Sequence, residues 1–127
     1  MGGDNAPEIV VEGAAQARER FPDAHFLLFG DEKLIEPLVS KHPRLVDAVT
    51  IRHTAKAVSS EERPAVALRQ GRNSSMQLAI NAVSSGEAAG VVSAGNTGAL
   101  MAMAKVTLKT LPGIDRPAIV APCPTKV

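Results

Sequence analysis

Val91-Val92-Ser93-Ala94-Gly95-Asn96-Thr97-Gly98-Ala99-Leu100 is the stretch whose reading decides the fold. A run of small and apolar residues halts at Gly, Asn and Thr, and a helical pattern follows. In an α/β protein this is how a buried strand hands over to a helix. The first turn of that helix leaves N–H groups open, and open N–H groups favour an anion. The loop is therefore a candidate holder of phosphate or a related oxyanion. Asn96 and Thr97 bring an amide and a hydroxyl to the helix start, and Gly95 and Gly98 let backbone and ligand approach closely. The same residues also suit a plain N-cap in a tight connection, so both readings stay open at this level.

Working outward, Ala88-Ala89-Gly90-Val91-Val92-Ser93 is continuously apolar or small, as strands covered on both faces are. Upstream, Ser74 with Gln77 three later is a capping box. Met76, Ala79, Ile80 and Val83 then form one helical face, and Gly86 is the stop. Downstream of Thr97, the spacing of Leu100, Ala104, Leu108 and Leu111 predicts a helix closed by Pro112-Gly113. Ala118-Ile119-Val120-Ala121 reads as a further strand cut short by Pro122-Cys123-Pro124.

The first half alternates in the same way. Pro7 suits the first position of a helix whose apolar face is Val10, Ala14, Ala17 and Phe21. His25-Phe26-Leu27-Leu28-Phe29, ending at Gly30, reads as a buried strand. Asp31 can cap the next helix, with Glu32 in its first turn and Leu34, Ile35, Leu38 and Val39 on its apolar side. Pro37 inside that helix predicts a short or kinked element. Ala48-Val49-Thr50-Ile51-Arg52-His53 is a second strand, and residues 54–63 are a polar surface loop. Pro64 opens a brief helix through Arg69, ended by Gly71. Strand and helix in alternation predict a mostly parallel sheet with helices on its faces. With no repeat or internal linker, residues 1–127 are read as one domain.

Composition narrows the function classes. Of 127 residues, 45% are hydrophobic, which opposes disorder, but only 2% are aromatic, with three Phe and no Trp or Tyr. Readers of single-stranded nucleic acid need stacking platforms. The net charge is +1 with no basic block, so nucleic acid and polybasic membrane binding are both disfavoured. Cys123 stands alone, which rules out an internal disulfide framework and fits a reducing compartment. No window has the length of a membrane span and no signal-peptide pattern opens the chain. The expectation is cytoplasmic.

In a parallel sheet, ligands collect beyond the C-terminal ends of the strands. The loops at Gly2-Gly3-Asp4, Gly30-Asp31, His53 and Ser93–Gly98 would meet there. Asp4 suits a general base or an orienting acceptor, and equally an Asx turn leading into Pro7. Arg69 and Arg72, with Ser74 and Ser75, could grip a phosphate, or could be two solvated arginines beside two caps. His25, His42 and His53 have no metal-ligand spacing. The loop Gly95-Asn96-Thr97-Gly98 matches neither the P-loop nor Gly-x-Gly-x-x-Gly, which disfavours nucleoside triphosphates and dinucleotides.

Four motifs in order carry a resemblance. Met1-Gly2-Gly3-Asp4-Asn5-Ala6-Pro7, then Arg69 with Ser74-Ser75-Met76, then Ser93-Ala94-Gly95-Asn96-Thr97-Gly98-Ala99-Leu100, then Gly113-Ile114-x-Arg116-Pro117-Ala118 resemble the bacterial phosphate acyltransferases of phospholipid synthesis. The resemblance runs the length of the chain and covers the N-terminal part of that family's single domain. It implies a Rossmann-like three-layer α/β/α fold, here incomplete, with the family's first strand and C-terminal part missing. It implies transfer of a fatty acyl group from acyl carrier protein thioester to inorganic phosphate, giving acyl phosphate for a downstream membrane acyltransferase. No metal or organic cofactor is expected. A cytoplasmic homodimer is implied, with peripheral membrane contact only through the missing part. The residues expected to line the substrate crevice are Gly2, Gly3, Asp4, Ser93, Gly95, Asn96, Thr97 and Gly98, with Arg69, Ser74 and Ser75 beside them; no catalytic acid or base is assigned. The rivals are a non-catalytic module binding anions or carrier protein, and a phosphotransacetylase-like enzyme using coenzyme A thioesters. As a fragment, the chain is expected to be inactive or weakly active.

Overall fold

The two apolar runs of the first half become a parallel pair. In the computed structural model, which describes residues 1–123, β1 (Phe26–Gly30) lies beside β2 (Val49–His53). Their register runs from Phe26 opposite Val49 to Gly30 opposite His53. A parallel pair needs a crossover between its strands. Here that crossover is α2 (Glu32–Val39) and the one-turn α3 (Pro43–Val46), while α1 (Glu8–Arg20) precedes β1. Asp31 caps α2 as expected, its side chain accepting from the Lys33 amide at 3.0 Å. Pro37 leaves α2 at eight residues.

One core lies between these helices and the sheet. Val11, Ala14, Ile35, Val39 and Leu45 are buried together, with Phe26, Leu28, Val49 and Ile51 packed against them from the strands. Leu45 is the centre, wholly buried on a helix that the sequence reading did not foresee. The face of α1 differs from expectation. Val11, rather than Val10, joins Ala14 inside, and Phe21 is 66% exposed. Phe21 is already the C-cap, beyond the last turn that packs inward.

A second core is made without a strand. It gathers α4 (Pro64–Gln70), α5 (Ser75–Ser84) and α6 (Thr97–Leu108) around Val58, Ala67, Met76, Ile80, Ala99 and Met103. In α6 the fully buried positions are Ala99 and Met103, with Leu100 and Ala104 packed beside them. The helix stops at Leu108, where Lys109 adopts φ 65°. Leu111, expected on its apolar stripe, is therefore beyond the helix and 77% exposed.

Two expected strands are corrected. Ala88–Ser93 is coil with a bend at Ala89, and Val92 is 98% exposed. Ala118–Ala121 is exposed coil as well. A strand exists only through ladder hydrogen bonds to a neighbour, and neither segment has such a neighbour among the described residues. Pro124, part of the expected strand break, lies outside the described residues. The result is an incomplete α/β arrangement with a small, open parallel sheet.

The two halves meet along a polar seam. Thr54 Oγ1 donates to the Asn73 carbonyl at 2.7 Å, the Ser75 amide donates to the Lys56 carbonyl at 2.9 Å, and Lys56 Nζ donates to the Gln70 carbonyl. The N-terminal segment enters the same seam and brings its loop toward α6.

Candidate functional site

Met1 fixes where the first loop goes. Its amine donates to the Phe29 carbonyl at 3.2 Å, and its carbonyl accepts from Ser75 Oγ at 2.8 Å. Burial holds this ammonium below the ordinary range of an N-terminal amine. Beyond Met1 the chain passes against the loop before α6, with Gly2 facing the Gly95 backbone and Gly3 facing Ala94. Gly3 has φ +100°, and a Cβ there would stand 2.7 Å from the Ala94 carbonyl oxygen. Only glycine permits both that backbone angle and that approach.

The second loop is fixed from within. Ser93 Oγ accepts from the Gly95 amide at 3.2 Å. Asn96 is the N-cap of α6, and its Oδ1 accepts from the Ala99 amide at 2.9 Å. The Leu100 amide is satisfied by the Asn96 carbonyl at 2.9 Å. The amides of Thr97 and Gly98 make no hydrogen bond among the described residues. They are the open donors that a helix start offers an anion.

These two loops share one cleft of about 440 Å³, lined by Gly3, Asp4, Ser60, Ala94, Gly95, Asn96, Thr97 and Gly98. That volume lies within the range of small-ligand sites, roughly 300–1,000 Å³. The acidic side chain is Asp4, exposed at the rim. The cleft thus combines two free amides, the Thr97 hydroxyl, the Ser60 hydroxyl and one carboxylate. Such a set can hold a small oxyanion by its oxygens.

The remaining candidates sit elsewhere. Gly2 and Ser93 stand immediately behind the lining, supporting Gly95. Ser74 is fully buried; its Oγ donates to the Gly71 carbonyl at 2.6 Å and accepts from the Gln77 amide at 3.3 Å. The capping box is half formed, because the Gln77 side chain reaches Asn81 and Thr107 instead of returning to Ser74. Ser75 spends its hydroxyl on Met1. Arg69 is exposed on α4 with its Nε on the Ala65 carbonyl, and Arg72 is exposed after α4. Neither arginine lines the cleft. His53 and Asp31 meet at the ends of the strands, with the Glu32 amide donating to His53 Nδ1 at 3.2 Å; they too lie outside the cleft lining. No group of three or more metal-ligating side chains occurs among the described residues. Nor is any helix among them long and apolar enough to cross a membrane.

Sequence reasoning missed Ser60. It lies in the segment read as a polar surface loop, and nothing local distinguishes it. Its place in the cleft depends on contacts with a residue 36 positions later.

Comparison with known proteins adds to this geometry. The model of the family described as "Fatty acid synthesis protein" matches residues 1–127. The phosphate acyltransferase of Rhodospirillum centenum is 63% identical over 125 residues, covering 98% of this chain and 35% of that protein. Its namesake from Rhodospirillum rubrum is also 63% identical, with 98% and 36% covered. The phosphate acyltransferase of Granulibacter bethesdensis is 61% identical, with 98% and 34% covered. The chain spans about a third of the length of these curated relatives.

Proposed function

This chain belongs to the fatty acid synthesis protein family, and from that premise we propose that the whole protein transfers a fatty acyl group from acyl carrier protein thioester to inorganic phosphate. The product is acyl phosphate, consumed by a later acyltransferase of phospholipid synthesis. Residues 1–127 are the N-terminal part of the single domain that does this, and they supply the phosphate side of its site. The relatives' shared name, phosphate acyltransferase, supports the reaction class.

The observation that carries the reading is one cleft in which Gly3 and Asp4 face Gly95–Gly98, with the Thr97 and Gly98 amides open. Phosphate seated on those amides is held by charge-assisted hydrogen bonds, which are roughly twice as strong as neutral ones. Asp4 at the rim suits a contact to a phosphate proton, steering an unprotonated oxygen toward the thioester carbonyl. Positioning of this kind turns an encounter of two molecules into a reaction of bound partners. In the chemical step a phosphate oxygen forms a bond to the carbonyl carbon, the carbon–sulfur bond breaks, and the departing thiolate takes up a proton. Donors at the carbonyl oxygen would stabilise the oxyanion formed on the way. No acyl-enzyme is needed for this transfer, because phosphate is itself the nucleophile.

We further infer that, in the whole protein, more strands complete a Rossmann-like sheet, using the open edge of β1 and the Ala88–Ser93 segment, which has no ladder partner among the described residues. Met1–Gly3, threaded between Phe29 and Ala94–Gly95, marks the line between them. A cytoplasmic homodimer with peripheral membrane contact follows from the resemblance alone.

The reading is tested in two steps. Titrating the chain with inorganic phosphate should shift the amide resonances of Thr97 and Gly98 first, with chloride at equal ionic strength leaving them in place. With acyl carrier protein thioester and phosphate, hydroxylamine trapping should yield acyl hydroxamate from the whole protein and little from residues 1–127 alone. Full turnover by the 127-residue chain would overturn the divided site. Turnover with coenzyme A thioester in place of the carrier protein would reassign the substrate.

A further inference from the structure

We infer that Asn96 is a positioning residue, which latches the Ser59–Glu62 segment onto the start of α6 and thereby makes Ser60 a wall of the cleft. The inference rests on the phosphate reading for its functional meaning and on hydrogen bonds for its geometry. Asn96 Nδ2 donates toward three backbone carbonyls, Ser59 at 3.2 Å, Ser60 at 3.0 Å and Glu62 at 2.8 Å. The same side chain accepts from the Ala99 amide through Oδ1. Its orientation is thereby settled, because rotating the amide by half a turn would set an oxygen against three oxygens and an NH2 group against an N–H.

Every polar atom of the Asn96 side chain is thus engaged by protein. The residue lines the cleft, yet its amide is committed to holding the cleft's shape. On its N-terminal side the segment is anchored by Val58, buried in the second core, and between Val58 and Pro64 Asn96 supplies its side-chain latch. Within it, the Glu62 amide reaches the Ser59 carbonyl at 3.2 Å and the Glu61 amide reaches Ser59 Oγ at 3.4 Å, and both contacts are internal to the turn. On the C-terminal side the attachment is Pro64. It packs so close to Gly98 that a Cβ on Gly98 would stand 2.9 Å from the proline ring. Two contacts from α6, the amide latch and the bare glycine, therefore press residues 59–64 against its first turn. Ser60 emerges from this clamp on the cleft, and its hydroxyl makes no hydrogen bond among the described residues. It lines the same cleft as the open Thr97 and Gly98 amides and the Thr97 hydroxyl, a further donor for the same anion.

Three variants of this chain separate the latch from the cap. Asn96→Ser keeps an oxygen that caps α6 well but lacks the Nδ2 donor. Asn96→Asp keeps the cap and sets a carboxylate oxygen against the three carbonyls. Ser60→Ala removes only the hydroxyl. The readouts are 15N relaxation across residues 59–62 and phosphate titration followed at the Thr97 and Gly98 amides. In both Asn96 variants the order parameters of Ser59–Glu62 should fall from the rigid range, about 0.85, to below about 0.6, while α6 stays ordered. Phosphate should bind roughly tenfold more weakly to Asn96→Ser and to Ser60→Ala, the scale of one hydrogen bond to a charged group. The double variant should bind no more weakly than Asn96→Ser, since the hydroxyl is already released. A segment that stays rigid in both Asn96 variants overturns the latch. So does unchanged phosphate affinity in Asn96→Ser and Ser60→Ala when the parent chain titrates. If the parent does not respond to phosphate, the anion reading falls; the relaxation data then support the latch if the segment loosens and refute it if it does not.

Discussion

The two halves of this molecule solve the burial problem in different ways. Around β1 and β2, a parallel strand pair and three helices share one core centred on Leu45. Around α4, α5 and α6, helices close a separate core on Ile80 and Met103 without a strand. Both halves contain an apolar run suited to a parallel sheet, Leu27–Phe29 in one and Val91–Val92 in the other. Among the described residues, only the first run has a partner. A helix satisfies its own backbone and needs company only for its apolar face, whereas a strand needs a neighbour for every hydrogen bond. The helical half therefore forms its core locally, and its strand-like segment stays open.

The sharpest way to test this division is to empty each core in turn. Leu45 and Ile80 are both wholly buried and belong to clusters with no shared member. Leu45→Ala and Ile80→Ala should each cost about 2–5 kcal/mol, the transfer loss plus the cavity left behind. Hydrogen exchange should quicken in α1–α3 and the strand pair for the first, and in α4–α6 for the second. Urea denaturation of the double variant should give a sum within about 0.5 kcal/mol of the separate losses, as for sites without shared partners. A large non-additive term would mean that the two clusters behave as one core.

A smaller effect is expected where the halves meet at the cleft. Gly3→Ala forces a side chain into φ +100° and against the Ala94 carbonyl, 2.7 Å away. Strain of this kind costs on the order of 1–3 kcal/mol, and relieving it requires the first loop to move off Ala94–Gly95. Thermal unfolding should report the strain. The informative readout is the phosphate response at Thr97 and Gly98, which should be lost even though neither residue is altered. Retention of that response would show that the second loop holds the anion without the first.

How much of this was legible in the sequence follows from the same contrast. The helix caps at Asp31, Ser74 and Asn96 and the boundaries of β1, β2 and α5 were readable, because each depends on residues within a turn or two. Ala88–Ser93 and Ala118–Ala121 were misread as strands, because apolar continuity states what a segment could bury and not whether a ladder partner is in place. Leu111 was misassigned to α6 because the stripe continues past the point where Lys109 turns the backbone. At the site, the lining by Gly3, Asp4 and Gly95–Gly98 was anticipated from strand-end logic and the ordered motifs. Ser60 was invisible, since its position depends on an amide in a different element. Ser74 and Ser75 were legible both as phosphate ligands and as caps, because small hydroxyls beside arginines suit either, and their hydrogen bonds to Gly71 and Met1 are tertiary facts.

The smallest effect should come from the seam's most conspicuous ion pair. Arg52, on β2, meets Glu87, after α5, at 2.7 Å, joining one half to the other. Their side chains are 53% and 43% exposed, so water screens the attraction and two long side chains lose freedom to make it. Exposed pairs of this kind contribute about 0–1 kcal/mol. Arg52→Ala should therefore change stability by less than either core variant, and the difference should shrink further in about 1 M salt, where the screening length falls to roughly 3 Å. The contacts made by Met1 with Phe29 and Ser75, and by Thr54 with Asn73, are more sheltered and should hold the halves together without it. If Arg52→Ala instead loosened the cleft as Gly3→Ala does, the seam would be held by surface charge, and the two cores would owe their alignment to ionic strength rather than to the backbone threaded between them.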